Sequence, residues 1–365
     1  MRRIYAKYAK LLINYSLGLK KGDRILVQST YLAEPLLREV HKAALEAGAH
    51  PEYSISFHGQ DKIFYDFGSD EQFGYVSPRL KLAGSEYEAM LYILAPFDMK
   101  ELVDVDPAKI QKVHVARGEI NKIMLKRHSQ GNFRWTLCVF PTAAAARECK
   151  MSIAEYRQFV FSACFLLEDD PVAKWNQLRD DQQRIVDYLT GKEQIQFLGR
   201  DIDVTFSAKG RKWINSSGTN NMPSGEVFTC PVEDSVNGKI RFSYPGFYMG
   251  KEIEDIVLEI QNGEVVQSSA TKGKELLDKI LEIPGAKRFG EAAVGTNHRI
   301  TKFTKNMLFD EKIGGTIHMA LGTSLAEAGG VNESAIHWDM LADMHQSGQI
   351  FADGELVYEN GNFLI

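Results

Sequence analysis

Residues 23–57 read D-R-I-L-V-Q-S-T-Y-L-A-E-P-L-L-R-E-V-H-K-A-A-L-E-A-G-A-H-P-E-Y-S-I-S-F. The run 23–29 is a short, nearly continuous apolar segment of strand length. Across 33–48 the apolar residues recur at helical spacing, and the segment closes on Gly48. Residues 51–57 are extended again. A strand, a helix and a second strand in succession predict a crossover unit and a parallel or mixed sheet. The neighbouring segments repeat the alternation. Residues 3–18 have helical spacing and end at Gly18, 89–95 (A-M-L-Y-I-L-A) and 134–140 (R-W-T-L-C-V-F) read as strands, and 107–128 is amphipathic. The first half is therefore expected to be an α/β domain with flanking helices. It holds neither G-x-G-x-x-G nor G-x-x-x-x-G-K-[ST], so dinucleotide and P-loop chemistry lack their phosphate cradle.

Residues 152–192 read as helices, with Ser152 and Glu155 spaced as a capping box. After Gly191 the pattern changes to short alternating strands and glycine turns: 195–199, 201–207, 211–215, 238–244 and 253–270, with one helix at 272–281. Asn262-Gly263 between two alternating runs is a hairpin signal. Two domains are expected, an α/β domain over 1–193 and a β-rich α+β domain over 194–365.

The composition suits an ordinary soluble chain: 365 residues, 44% hydrophobic, 25% charged, net charge -5. No concentrated basic face suggests nucleic acid, and no apolar run approaches the ~18–20 residues of a membrane span. The opening M-R-R-I-Y-A-K-Y-A-K carries charges every few residues, and Cys138, Cys149, Cys164 and Cys230 form no C-x-x-C pair. Reduced, mostly buried thiols in a cytoplasmic protein are expected.

Chemistry concentrates in 310–339, D-E-K-I-G-G-T-I-H-M-A-L-G-T-S-L-A-E-A-G-G-V-N-E-S-A-I-H-W-D. I-H-M-A-L and A-I-H-W-D read as strands. His337 and Asp339 then share a face, and Trp338 points away. Two imidazoles and a carboxylate form a common donor set for a divalent ion, although H-x-D alone is a weak signal. Asp310, Glu311 and Glu333 flank these strands as partners or as solvated residues. His298 and His345 read as surface or structural histidines. Glu226, in N-N-M-P-S-G-E-V-F-T-C-P, and Glu291, in R-F-G-E-A-A-V-G-T-N, would each by itself read as a solvated glutamate.

Taken in order, N-M-P-S-G-E-V-F-T-C-P, R-F-G-E-A-A-V-G-T-N, D-E-K-I-G-G-T-I-H-M-A-L-G and N-E-S-A-I-H-W-D resemble the thermophilic aminopeptidases of metallopeptidase family M29. The resemblance covers the second half of the chain. It implies two divalent ions (Zn, Co or Mn) held by Glu226, Glu291, His318, His337 and Asp339, and a hydroxide shared between them that attacks the first peptide bond of a short peptide. It further implies a homodimer. Three carboxylates, two divalent ions and one hydroxide sum to zero charge, which suits a partly buried cluster.

One position departs from the family pattern. Relatives carry a tyrosine seven residues after the first ligand histidine, thought to stabilise the tetrahedral intermediate. Here the segment is G-T-S-L-A-E-A-G-G and Leu325 stands in its place. A leucine donates no hydrogen bond, and loss of one such donor costs ~10²–10³ in rate. Thr323, Ser324, Tyr244 and Tyr248 are candidate substitutes, and a weakly active or inactive homologue is one reading. A second reading is a ring-cleaving hydroxypyridine dioxygenase on the same scaffold, with one iron on His318, His337 and Asp339. Retention of Glu226 and Glu291 argues against it, because a one-metal site does not need them.

Overall fold

The computed structural model describes residues 1–365, which divide into two compact units. The first comprises residues 1–172 together with 218–223. Its sheet has five strands in the spatial order His50–Ser56, Arg24–Thr30, Ala89–Leu94, Arg134–Val139 and Asn221–Met222. Every neighbouring pair is parallel. Parallel strands are covered on both faces, which explains why Ile25, Leu26 and Val27, and likewise Ala89, Met90 and Leu91, are buried in unbroken runs. The helix expected over 33–48 spans Glu34–Glu46 with a proline in its first turn. The helix Pro107–Ser129 is capped by Asp106 and ends on Lys126, Arg127 and His128, matching charge to the helix dipole. Over 3–18 the chain forms a helix, Arg2–Lys10, continued by a wider π turn, Leu11–Ser16, that buries Leu11, Leu12 and Ile13. At the carboxyl ends of the first three strands, where the strand order reverses, lies a recess of about 300 Å³.

The second unit comprises residues 173–217 and 224–365. It contains an eight-stranded sheet, a five-stranded sheet and a two-stranded ribbon. The paired strands of this unit run antiparallel. The two larger sheets share one hydrophobic core, to which Phe197, Val204 and Ile350 come from the larger and Val294, Met319 and Met340 from the smaller. Each such side chain contributes roughly 1.5–3 kcal/mol through burial. Asn262 and Gly263 form the expected tight turn with φ of 51° and 80°, joining Val257–Gln261 to Glu264–Ser269.

The unit boundary falls at 172/173, whereas the change in composition placed it near 193. The helix Pro171–Leu189 accounts for the difference, because Ile185, Val186 and Leu189 belong to the core of the β-rich unit. Residues 218–223 return to the first unit because Asn221–Met222 completes its parallel sheet. No helix is long and apolar enough to cross a membrane.

Candidate metal centre

The five-stranded sheet of the second unit carries the five residues expected as ligands. Its strands lie in the order His337–Asp343, Thr316–Gly322, Phe289–Gly295, Glu226–Thr229 and Ile214–Ser216. Side chains alternate between its faces, so Ile317, Met319 and Leu321 enter the core while His318 and Ala320 face the other way. Trp338 is likewise a core residue, and its indole N–H donates to the Phe247 carbonyl at 3.0 Å, leaving His337 and Asp339 together on the opposite face. In register, Ala320 lies between Glu291 and Asp339, and His318 lies beside Ala293. The small side chain of Ala320 leaves room between the two carboxylates.

Close backbone approaches place the two glutamates. Gly225, with φ of +120°, precedes Glu226, and a Cβ there would meet Asn297 Cβ at 2.7 Å. Gly290 precedes Glu291 at a register shift, and a Cβ there would lie 2.3 Å from the Thr323 carbonyl oxygen. Gln182 is buried and donates to the Glu226 carbonyl at 2.6 Å, while its own oxygen accepts from Thr296 Oγ1 at 3.2 Å.

All five expected ligand residues meet on this face. Glu291 reaches two histidines: Oε2 lies 3.0 Å from His337 Nε2 and Oε1 lies 3.5 Å from His318 Nε2. His318 Nε2 also lies 3.4 Å from Glu226 Oε2, and His337 Nε2 lies 3.6 Å from Asp339 Oδ1. The His337 Nδ1–H donates to the Thr323 carbonyl at 2.8 Å, which fixes the tautomer and aims Nε2 at the carboxylates. Glu226 and Glu291 are each 5% exposed and His318 is fully buried, whereas the His337 side chain remains 29% exposed.

Two groups have metal-ligand spacing. Glu226, Glu311 and His318 offer donor atoms within 4.8 Å of one another, and so do Glu291, His337 and Asp339. Glu226 Oε2, His318 Nε2 and Asp339 Oδ1 are buried without a hydrogen-bond partner. Buried polar atoms are seldom left unpaired, and these three belong to the facing donor groups, so the residues present fit divalent ions. Burial alone would lower the basicity of both imidazoles. Their carboxylate neighbours outweigh it and lift His318 to about 9 and His337 to about 11. Burial would raise Glu291, but hydrogen bonds with the two histidines hold it down to about 2.

Of the flanking acids, only Glu311 joins the donor groups. Asp310 is buried and accepts from Thr304 N at 2.7 Å and Thr304 Oγ1 at 2.8 Å, which fixes the loop that presents Glu311. Glu333 is exposed, as is His298. Sequence reasoning missed Lys312. Its side chain is 1% exposed, and its ammonium lies 2.7 Å from Glu226 Oε1 and also contacts Glu311 Oε1. The available signal was a lysine directly after two acids, Asp310 and Glu311, and just ahead of the strand that carries His318.

The residues around the departure are accounted for. Leu325 packs with Ile214, Phe228, Cys230, Ala293 and Ala328, and its carbonyl accepts from Cys230 Sγ at 3.4 Å. Thr323 Oγ1 donates to the Ser334 carbonyl, and Ser324 Oγ accepts from Asn332 N, so both hydroxyls serve the loop. Tyr244 stacks on Phe303, and Tyr248 packs edge-on against Trp338.

The model for the family described as thermophilic metalloprotease (M29) matches residues 2–363. Aminopeptidase 2 of Geobacillus stearothermophilus is 29% identical over 409 residues, covering 98% of this chain and 97% of that protein. Aminopeptidase AmpS of Bacillus subtilis is 28% identical over 98% of this chain and 97% of its own length. Among solved structures, wild-type AmpT from Thermus thermophilus has the same fold, with a TM-score of 0.84 over 100% of this chain and 99% of that one at 23% identity. With a donor set on one sheet face and a family match along nearly its whole length, this chain belongs to the thermophilic metalloprotease family M29.

Proposed function

We propose that the protein is a metal-dependent aminopeptidase that removes N-terminal residues from short peptides, using two divalent ions. The observation that carries this reading is the convergence of Glu226, Glu291, His318, His337 and Asp339 on one face of a sheet, which with Glu311 make two donor groups of three. Glu226, His318 and Glu311 would hold one ion, and His337, Asp339 and Glu291 the other. Glu291 would lie between them, because its two oxygens reach different histidines. When bound, such ions polarise the scissile carbonyl and lower the pKa of the attacking water.

The chain supplies the rest. Thr323 holds the His337 ring through its carbonyl, and the His337 edge is the accessible side of the cluster, where a substrate amide can approach. Leu325 packs against the buried Phe228 and Ala293 of the same sheet, an apolar cluster suited to exclude water from the site. No phenol stands at that position, so turnover is expected to be slow for this chemistry. A homodimer and a cytoplasmic setting belong to the same proposal, and sedimentation at micromolar concentration tests the dimer.

Metal analysis of gently purified protein, coupled to hydrolysis of amino-acid anilides, tests the reading. About two divalent ions per chain and activity abolished by chelation are expected. Metal content near zero with no gain on adding zinc, cobalt or manganese overturns it. Glu226 and Glu291 lie within the cluster that would hold a single iron, which weighs against the hydroxypyridine dioxygenase. Stoichiometric iron with oxygen uptake on a hydroxypyridine would reverse that judgement.

A further inference from the structure

We infer that Lys312 is a positioning residue that makes the two ion positions unequal, so that the Glu291–His337–Asp339 group binds first and the Glu226–Glu311–His318 group binds second and more weakly. The inference rests on the two-ion reading above. Its basis is an asymmetry in charge and contact. Glu226 and Glu311 each give one oxygen to the Lys312 ammonium, so with carboxylates ionised and imidazoles neutral, as ion binding requires, their group carries a net charge of about -1 against -2 for Glu291 and Asp339. Glu291 and Asp339 pair only with histidines. No fixed cation touches either of them, so their carboxylates are available in full to an incoming ion.

Lys312 also decides how Glu226 is presented. With Oε1 held at 2.7 Å by the ammonium, Oε2 is the oxygen left unpartnered, 3.4 Å from His318 Nε2. Glu226 can therefore offer a single oxygen in a fixed direction. The Lys312 side chain is 1% exposed, so water screens its charge little, and the ammonium takes up part of the carboxylate charge that would otherwise attract the second ion. Including Lys312 keeps the site neutral when full. Four carboxylates and one ammonium sum to -3, which two divalent ions and one hydroxide cancel. A cationic side chain thus offsets the extra carboxylate of Glu311, which the five-residue ligand set omitted.

Metal-free protein titrated with Co²⁺ at fixed pH against a chromophoric chelator tests the inference. Wild type is expected to bind in two steps whose Kd values differ at least about a hundredfold, the scale set by one unit charge in hydrogen-bonding contact with the ligands. Lys312→Met should narrow that gap at least tenfold by tightening the weaker step, and Lys312→Arg should keep it. Asp339→Asn should remove the tighter step and Glu226→Gln the weaker one. A gap unchanged in Lys312→Met overturns the inference, as does loss of the tighter step in Glu226→Gln. If Lys312→Met does not fold, Lys312→Gln takes its place with the same expected narrowing and the same overturning result, and the order of loss in Asp339→Asn and Glu226→Gln tests which group binds first. Absence of any Co²⁺ binding removes the metallopeptidase reading itself, whereas two steps with an unmoved gap remove only the role given to Lys312.

Discussion

At the scale of single residues, the centre brings carboxylates and imidazoles together before any ion is bound, and the proton balance follows from that. His318 and His337 are lifted to about 9 and 11, above the ordinary imidazole value of 6.5. In metal-free protein both therefore add stability that is complete below about pH 6.5 and is lost as pH rises through 9 to 11. Burial lifts Asp310 to about 7 and Glu311 to about 8, and these carboxyls pull in the same direction. Glu291, held down to about 2, acts oppositely, with stability present above about 4.5 and lost as pH falls. The Tm of metal-free protein should therefore fall steadily between about pH 5 and 9. Zinc binding at pH 7 should release protons, which calorimetry in buffers of different ionisation enthalpy detects. Leu325→Tyr makes a separate prediction. If the missing phenol limits turnover, kcat on amino-acid anilides should rise at least about tenfold, since one oxyanion donor is worth ~10²–10³. An unchanged kcat would show that another group already does that work.

At the scale of elements, the strand Phe289–Gly295 is the one on which geometry is tightest. Its register shift at Gly290 turns Glu291 toward both histidines, and a methyl group there would strike the Thr323 carbonyl. That carbonyl is also the one that holds His337. Gly290→Ala should therefore disturb two of the proposed ligands, Glu291 and His337, at once. Expected outcomes are a loss of about 1–3 kcal/mol in stability, the usual cost of overpacking, and a drop in bound metal. Thermal unfolding and metal analysis of the same preparation check both. The neighbouring strands show why an H-x-D spacing is usable at all. Alternation sends Trp338 into the core and so leaves His337 and Asp339 on the chemical face, with Ala320 as the gap between carboxylates.

At the scale of the whole molecule, the β-rich unit includes a helix that its sequence context assigned to the other half. Leu189 is 2% exposed within the β-rich core. Leu189→Ala should cost about 2–5 kcal/mol and make metal release during heating occur earlier, whereas a helix belonging to the first unit would leave metal release unchanged. The strand and helix alternation over 23–140, the Asn262-Gly263 hairpin and the pairing of His337 with Asp339 were legible in the chain, because hydrophobic periodicity and turn chemistry act over a few residues. Ordered motifs extended that reading to Glu226 and Glu291. The place of Pro171–Leu189 was not legible, since an amphipathic helix does not encode which of two cores will bury its apolar face. Nor was Lys312, because a lysine in a linear sequence is most often a solvated one. Only tertiary packing closes the loop 304–312 against the sheet, brings an ammonium to 2.7 Å from Glu226, and makes burying that charge tolerable by surrounding it with carboxylates.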